Sequence, residues 1–144
     1  MSIWFEEYLL ERVNEKNKNT MVENCGIIIT ELGEDFLRGT MPADDRNKQP
    51  FGIVHGGANC VLAETLGSIA ANMTCDPNTH HAVGISITTN HVKAVRNGVI
   101  EGTAKPLHMG KTTQLWEIRT FNENKQMTSS SSLTMAIVSK LKSK

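Results

Sequence analysis

The chain has 144 residues, with 15 basic side chains set against 15 acidic ones, 39% hydrophobic residues and 21% charged residues. That length is enough for one domain with a full apolar core, spanning 1–144. The balance of charge excludes the broad cationic field that draws in nucleic acid or an anionic membrane, so any anionic ligand must be held by a local cluster.

In chain order, MSIWFEEYLLERV carries Glu6, Glu7 and Glu11 within its apolar stretch, which is not the pattern of a secretory signal. Trp4, Tyr8 and Leu9 recur at helical spacing and predict an amphipathic helix from Ile3 to about Lys18, ending in Asn17-Lys18-Asn19-Thr20. Residues 25–31 and 35–41 are β-rich with Gly33 between them, which predicts a hairpin. Residues 42–52, PADDRNKQPFG, read as an ordered loop. From Gln49 to Cys75 the one formally charged residue is Glu64. The segment Gly57 to Met73 puts Ala58, Val61, Leu62, Thr65, Leu66, Ile69 and Met73 on one helical face. Asn59, Glu64, Ser68 and Asn72 argue against a membrane span and for a buried central helix. Strands are predicted at 82–95, 98–105, 111–121 and 126–138, joined by turns at Asn97-Gly98 and 122–125. Helix, two strands, buried helix and four strands describe an α+β layer architecture, one long helix wrapped by an antiparallel sheet.

Cys25, Cys60 and Cys75 are odd in number and lack C-x-x-C spacing, which favours buried free thiols of a reducing compartment over a metal site or a disulfide framework. Ser139-Lys140-Leu141 resembles a peroxisomal address, but three residues follow it, and the expected location is cytoplasmic.

The chemistry concentrates in Gln49-Pro50-Phe51-Gly52-Ile53-Val54-His55-Gly56-Gly57, which runs directly into the helix that carries Glu64. A glycine-rich loop ending at a helix start presents free N–H groups at the positive end of the helix dipole. It suits the oxyanion that develops on a carbonyl under attack. Gly56 is the preferred donor because the absence of Cβ allows close approach, and Gln49 and His55 are candidate side-chain donors. Taken alone, a histidine before a helix is more often a cap than a catalytic group; beside Gly56 and Gln49 the catalytic reading takes precedence.

Glu64 is expected to be buried without a basic partner within one turn, which would desolvate it and make it a more competent base. The alternative is a glutamate that reaches a distant arginine or solvent. Ser68 follows at i+4 and is placed to orient the carboxylate or a water. Gly56 and Glu64 lie eight residues apart, about 12 Å along a helix, whereas reacting atoms must approach to about 3–3.5 Å. One helix does not supply both groups to one substrate, and two antiparallel copies do, so a homo-oligomer with its site at the subunit interface is expected.

The string Lys48 to Ser68, KQPFGIVHGGANCVLAETLGS, resembles the 4-hydroxybenzoyl-CoA thioesterase family of hotdog proteins, including its PaaI-like branch, and looks most like the 1,4-dihydroxy-2-naphthoyl-CoA thioesterases. The likeness extends to Met41-Pro42, Asn90-His91-Val92 and Lys105-Pro106-Leu107-His108. The resemblance implies a hotdog fold and hydrolysis of an acyl-CoA thioester, aromatic or medium-chain, without metal or organic cofactor. It implies Glu64 as nucleophile or general base, Gly56, Gln49 and His55 as oxyanion donors, and Ser68 as a positioning group. His91 matches a histidine near the acyl pocket; Gly57, Lys93, Arg96, Lys111 and Thr112 are further candidate substrate contacts. It also implies a dimer of dimers. Two rival functions on the same fold are a non-catalytic acyl-CoA sensor and a hydroxyacyl-thioester dehydratase. The first usually carries a DNA-binding segment and the second a different His and Asp/Glu arrangement.

Overall fold

The computed structural model describes residues 1–140. Leu141 of the address-like tripeptide lies outside them.

Alternating and β-branched segments form six strands: β1 (Ile28–Leu32), β2 (Leu37–Pro42), β3 (His80–His91), β4 (Val99–Met109), β5 (Thr113–Phe121) and β6 (Met127–Ser139). They make one antiparallel sheet in the order β1-β2-β4-β5-β6-β3. Against one face lies α3 (Gly56–Met73), joined by two short helices, α1 (Leu10–Glu15) and α2 (Met21–Asn24). This is the helix-and-sheet hotdog architecture that the sequence predicts, with strand limits shifted by a few residues. The largest shifts are in β3, which ends at His91 rather than 95, and β4, which runs to Met109 rather than 105.

The core fills the space between α3 and the central strands. Leu62 and Leu66 of α3 and Ile100, Trp116, Ile118, Leu133 and Met135 of the sheet are fully enclosed. The serine-rich strand β6 belongs inside because its hydroxyls are paired. Thr120 Oγ1 meets Thr128 Oγ1 at 2.7 Å and Ser129 Oγ at 2.5 Å, and Ser131 Oγ lies 2.9 Å from Thr89 Oγ1.

Two expectations need correction. The predicted helix from Ile3 to Lys18 forms only over Leu10–Glu15. The residues before it are held out of a helix by tertiary bonds: Trp4 Nε1 donates to Gly33 O at 2.6 Å, Ile3 N to Glu34 O at 3.0 Å and Phe5 N to Met73 O at 2.9 Å. Asn14 then exchanges two 2.8 Å hydrogen bonds with the backbone of Ile29, so α1 covers the β1 edge of the sheet.

The second correction concerns the burial of α3. The side facing the sheet is Ala58, Asn59, Leu62, Ala63, Leu66, Gly67, Ala70, Ala71 and Met73. Val61, Thr65 and Ile69, predicted as core, are half-buried, and Glu64 on the same side is exposed. Small residues let the sheet approach the helix closely, and the bulkier stripe turns outward. Of the cysteines, Cys75 is buried while Cys25 and Cys60 are half-buried; all three are free. No helix among the described residues is long and apolar enough to cross a membrane.

Candidate active site

The turn that starts α3 is built by its own sequence. Lys48 and Val54 bridge across the loop, Gln49 N donates to Ile53 O at 2.9 Å, and Gly52 N returns to Gln49 O at 2.9 Å. The Gln49 side chain is fixed at one end, because its Oε1 accepts from Phe51 N at 2.5 Å. Its amide N–H groups are thereby left to donate elsewhere.

His55 is the N-cap of α3. Its Nδ1 accepts from Gly57 N at 2.8 Å, and its own N–H donates to Asn47 O at 2.7 Å. A neutral ring that accepts at Nδ1 carries its hydrogen at Nε2, so the cap also presents an outward donor. Gly57 N–H is committed to this cap. Gly56 N–H, the first of the helix, has no acceptor within hydrogen-bond reach among the described residues. The imidazole of His91 lies across Gly56: a Cβ at that position would stand 3.0 Å from His91 Nε2. Gln49, Gly56, Asn59, His91 and Lys93 line a cavity of about 310 Å³ at this end of the helix.

The carboxylate occupies another place. Glu64 is exposed rather than buried in the protomer, and this chain alone does not supply the desolvation expected from sequence. It joins no ion pair among the described residues, so a distant arginine does not explain it. Its Oε2 hangs over Gly84 of β3, where a Cβ would stand only 2.9 Å away. Glu64 and Ser68 line a second cavity of about 350 Å³ together with Asn17, Val61, Thr65 and Ile69. Ser68 also opens onto a third, of about 290 Å³, with Tyr8, His80 and His81. His80 is exposed, whereas His81 is half-buried with Nδ1 unpartnered.

The proposed residues therefore fall into two groups within one chain. Gln49, His55, Gly56, Gly57 and His91 gather at the start of α3, and Glu64 and Ser68 gather two turns on. Of the cationic candidates, Lys93 borders the first cavity, and Arg96 reaches Phe51 O at 3.5 Å beside it. Lys111 and Thr112 are exposed at the far end of the sheet, where Thr112 O accepts from Ile137 N. Sequence reasoning missed Asn59, which touches His91, and Gly84, which seats Glu64. Gly84 sits inside a strand between the β-branched Val83 and Ile85, where a glycine signals close approach.

A free N–H at a helix start, flanking side-chain donors and an unpaired carboxylate are groups that acyl transfer uses. The thioesterase superfamily model matches residues 51–128. The 1,4-dihydroxy-2-naphthoyl-CoA hydrolase of Escherichia coli is 43% identical over 136 residues, 94% of this chain and 99% of that protein. The proofreading thioesterase EntH of Cronobacter sakazakii is 43% identical over 94% of this chain and 98% of its own length. The crystal structure of thioesterase HI1161 from Haemophilus influenzae superposes with a TM-score of 0.94 at 36% identity, covering 97% of both chains. The chain belongs to the thioesterase superfamily, and it is a thioester hydrolase of the hotdog fold.

Proposed function

We propose that this enzyme hydrolyses an aromatic or medium-chain acyl-CoA thioester to the free acid and coenzyme A, with Glu64 of one chain serving the Gly56 end of another. 1,4-Dihydroxy-2-naphthoyl-CoA is the first substrate to test, on the likeness to the E. coli hydrolase. The observation that carries this reading is the separation on one protomer of an open N–H at Gly56 from an exposed, unpaired carboxylate at Glu64.

The thioester oxygen rests on Gly56 N–H, with Gln49 and His55 donating beside it. Glu64 either adds to the carbonyl, giving an anhydride that water opens, or takes a proton from the water that adds. In both routes the C–S bond breaks and the thiolate leaves, taking up a proton afterwards. Ser68, one turn from Glu64, positions the water. Lys93 and Arg96 at the mouth of the first cavity suit coenzyme A phosphates. In the dimer, Lys111 and Thr112 belong to the half that supplies Glu64. Each step balances with these side chains and water, and draws on no metal or organic cofactor. We place the enzyme in the cytoplasm.

Support for the dimer comes from β3. It is an edge strand of twelve residues with Val83 41% and Ile85 63% exposed, a surface that invites pairing with another strand. A second exposed apolar group, Leu107, Met109 and Leu115 where β4 meets β5, supports the pairing of dimers into a tetramer.

The test mixes two inactive chains, Glu64→Gln and Gln49→Ala, after unfolding and refolding them together, and follows thiol release from a panel of acyl-CoAs. A mixed dimer holds one site with both defects and one with neither, so activity should return. Failure of the mixture to recover activity, or a fully active 15.9 kDa monomer in sedimentation, overturns the shared site. A wild-type chain that binds acyl-CoA but releases no thiol would favour the sensor reading.

A further inference from the structure

Asn59 stands one turn into α3, 6% exposed, on the side that faces the sheet. A carboxamide in that position needs partners, and it has one: Nδ2 lies 3.2 Å from His91 Nδ1, while Oδ1 is buried without any. His91 in turn lays its Nε2 side over Gly56, the residue with the open N–H. The three residues thus form a chain from the helix interior to the proposed oxyanion position.

The direction of the amide decides what His91 offers there. With Nδ2 turned to the ring, Nδ1 accepts and the hydrogen of the neutral imidazole sits on Nε2. Turned the other way, Oδ1 would take an Nδ1 hydrogen and both amide hydrogens would be buried without an acceptor. The first arrangement leaves Oδ1 and one amide hydrogen unpartnered, the second leaves two amide hydrogens; orphaned N–H groups are rarer than under-satisfied carbonyl oxygens, so the first is the one that fits this pocket. We infer that Asn59 is a positioning residue that holds His91 as its Nε2–H tautomer, adding a donor beside Gly56 N–H for the thioester oxygen. This rests on the reading that the carbonyl docks at Gly56.

The inference has a signature in pH. The carboxylate introduced by Asn59→Asp would accept from Nδ1, and Nε2 would then keep a hydrogen only while the ring is an imidazolium. The charged side chains around this cavity are Lys93 on its wall and Arg96 beside its mouth, with His55 at the helix cap, and among the described residues none of them hydrogen-bonds Asn59. The Asn59→Asp enzyme should therefore acquire a new alkaline decline in kcat that the wild type lacks. Loss of one oxyanion donor costs about 10²–10³ in turnover, and the effect should fall on kcat rather than KM. In a His91→Gln background, where an amide replaces the ring, Asn59→Asp should add no such decline.

Ring ¹⁵N NMR of the wild-type protein, with His91 assigned by comparison with His91→Gln, reads the tautomer directly and needs no substrate. Hydrogen on Nε2 in the wild type, moved to Nδ1 in Asn59→Asp at alkaline pH, together with the new decline in kcat, is the expected result. Hydrogen on Nδ1 in the wild type, or a wild-type pH profile in Asn59→Asp, overturns the inference. Should Asn59→Asp fail to fold, the wild-type tautomer alone decides. A chain with the Nε2–H tautomer that hydrolyses no acyl-CoA would count against the thioesterase site and not against the role of Asn59.

Discussion

Gly84→Ala tests the seat of the carboxylate without removing any polar group. The new Cβ would stand 2.9 Å from Glu64 Oε2 and 3.8 Å from its Cδ. A comfortable carbon–oxygen contact is about 3.4 Å, so the carboxylate must retreat by about 0.5 Å. Misplacement of a reacting group by about 1 Å costs about 10²-fold. Half that displacement should cost about tenfold in kcat, or about 1.4 kcal/mol of barrier. Stability should move the other way, because alanine in a strand is favoured over glycine by about 0.5–1 kcal/mol and the clash meets only the end of a flexible side chain. The assay pairs thiol-release kinetics with a thermal melt, and sedimentation checks that the β3 edge still associates. Wild-type turnover in a variant that melts at or above the wild-type temperature would refute the reasoning. It would mean that Glu64 does not react from its place over Gly84.

Glu64→Gln should lower kcat by at least about 10²-fold with an unchanged melting temperature, since the side chain is exposed and unpaired in the protomer; a large loss of stability would restore a structural role. His55 divides its tasks between two substitutions: His55→Ala should cost about 1 kcal/mol of stability through the lost cap, whereas His55→Asn keeps a capping oxygen, and both should lose turnover. Gln49→Ala should cut kcat by about 10²-fold without destabilising the chain, and wild-type rates would place the carbonyl elsewhere. Burial pushes the Cys75 thiol above its ordinary range, with a smaller opposing effect from the Thr74 hydroxyl. The protonated thiol is thus favoured in the fold, and its contribution to stability is complete below the unfolded thiol's titration and lost as pH rises through the folded one. Urea midpoints from neutral to strongly alkaline pH should therefore fall less steeply in Cys75→Ala.

The loop and helix start were legible because their chemistry is contiguous: glycines, a cap residue and a donor within nine positions, followed by the lone charge of an apolar helix. The N-terminal helix was over-extended because periodicity does not register the tertiary bonds of Trp4, Ile3 and Phe5, which override local helical preference. The burial of Glu64 was misjudged for a related reason. Apolar side chains at helical spacing mark a face, but the small residues Ala63, Gly67, Ala70 and Ala71 claimed the sheet, and Val61, Thr65 and Ile69 were left beside the carboxylate. Asn59 had no signal at all, since its partner lies 32 residues away in another element.

Both halves of the proposed site are seated on one strand. His91, at the end of β3, lies beside Gly56, and Gly84, near its beginning, lies under the carboxylate of Glu64. Within a chain these seats are apart, as are the two residues of α3 that they serve. A two-fold axis between Ile87 and Thr88 reverses the strand and would set His91 of one copy opposite Gly84 of the other. Such a pairing would satisfy the exposed edge of β3 and would also carry Glu64 towards the proposed oxyanion donors. It would cover the carboxylate at the same time, supplying from a second chain the desolvation that the sequence implied and the protomer lacks. On this account association and catalysis depend on the same strand, and a change that weakens β3 pairing should lower turnover even where every catalytic side chain is intact.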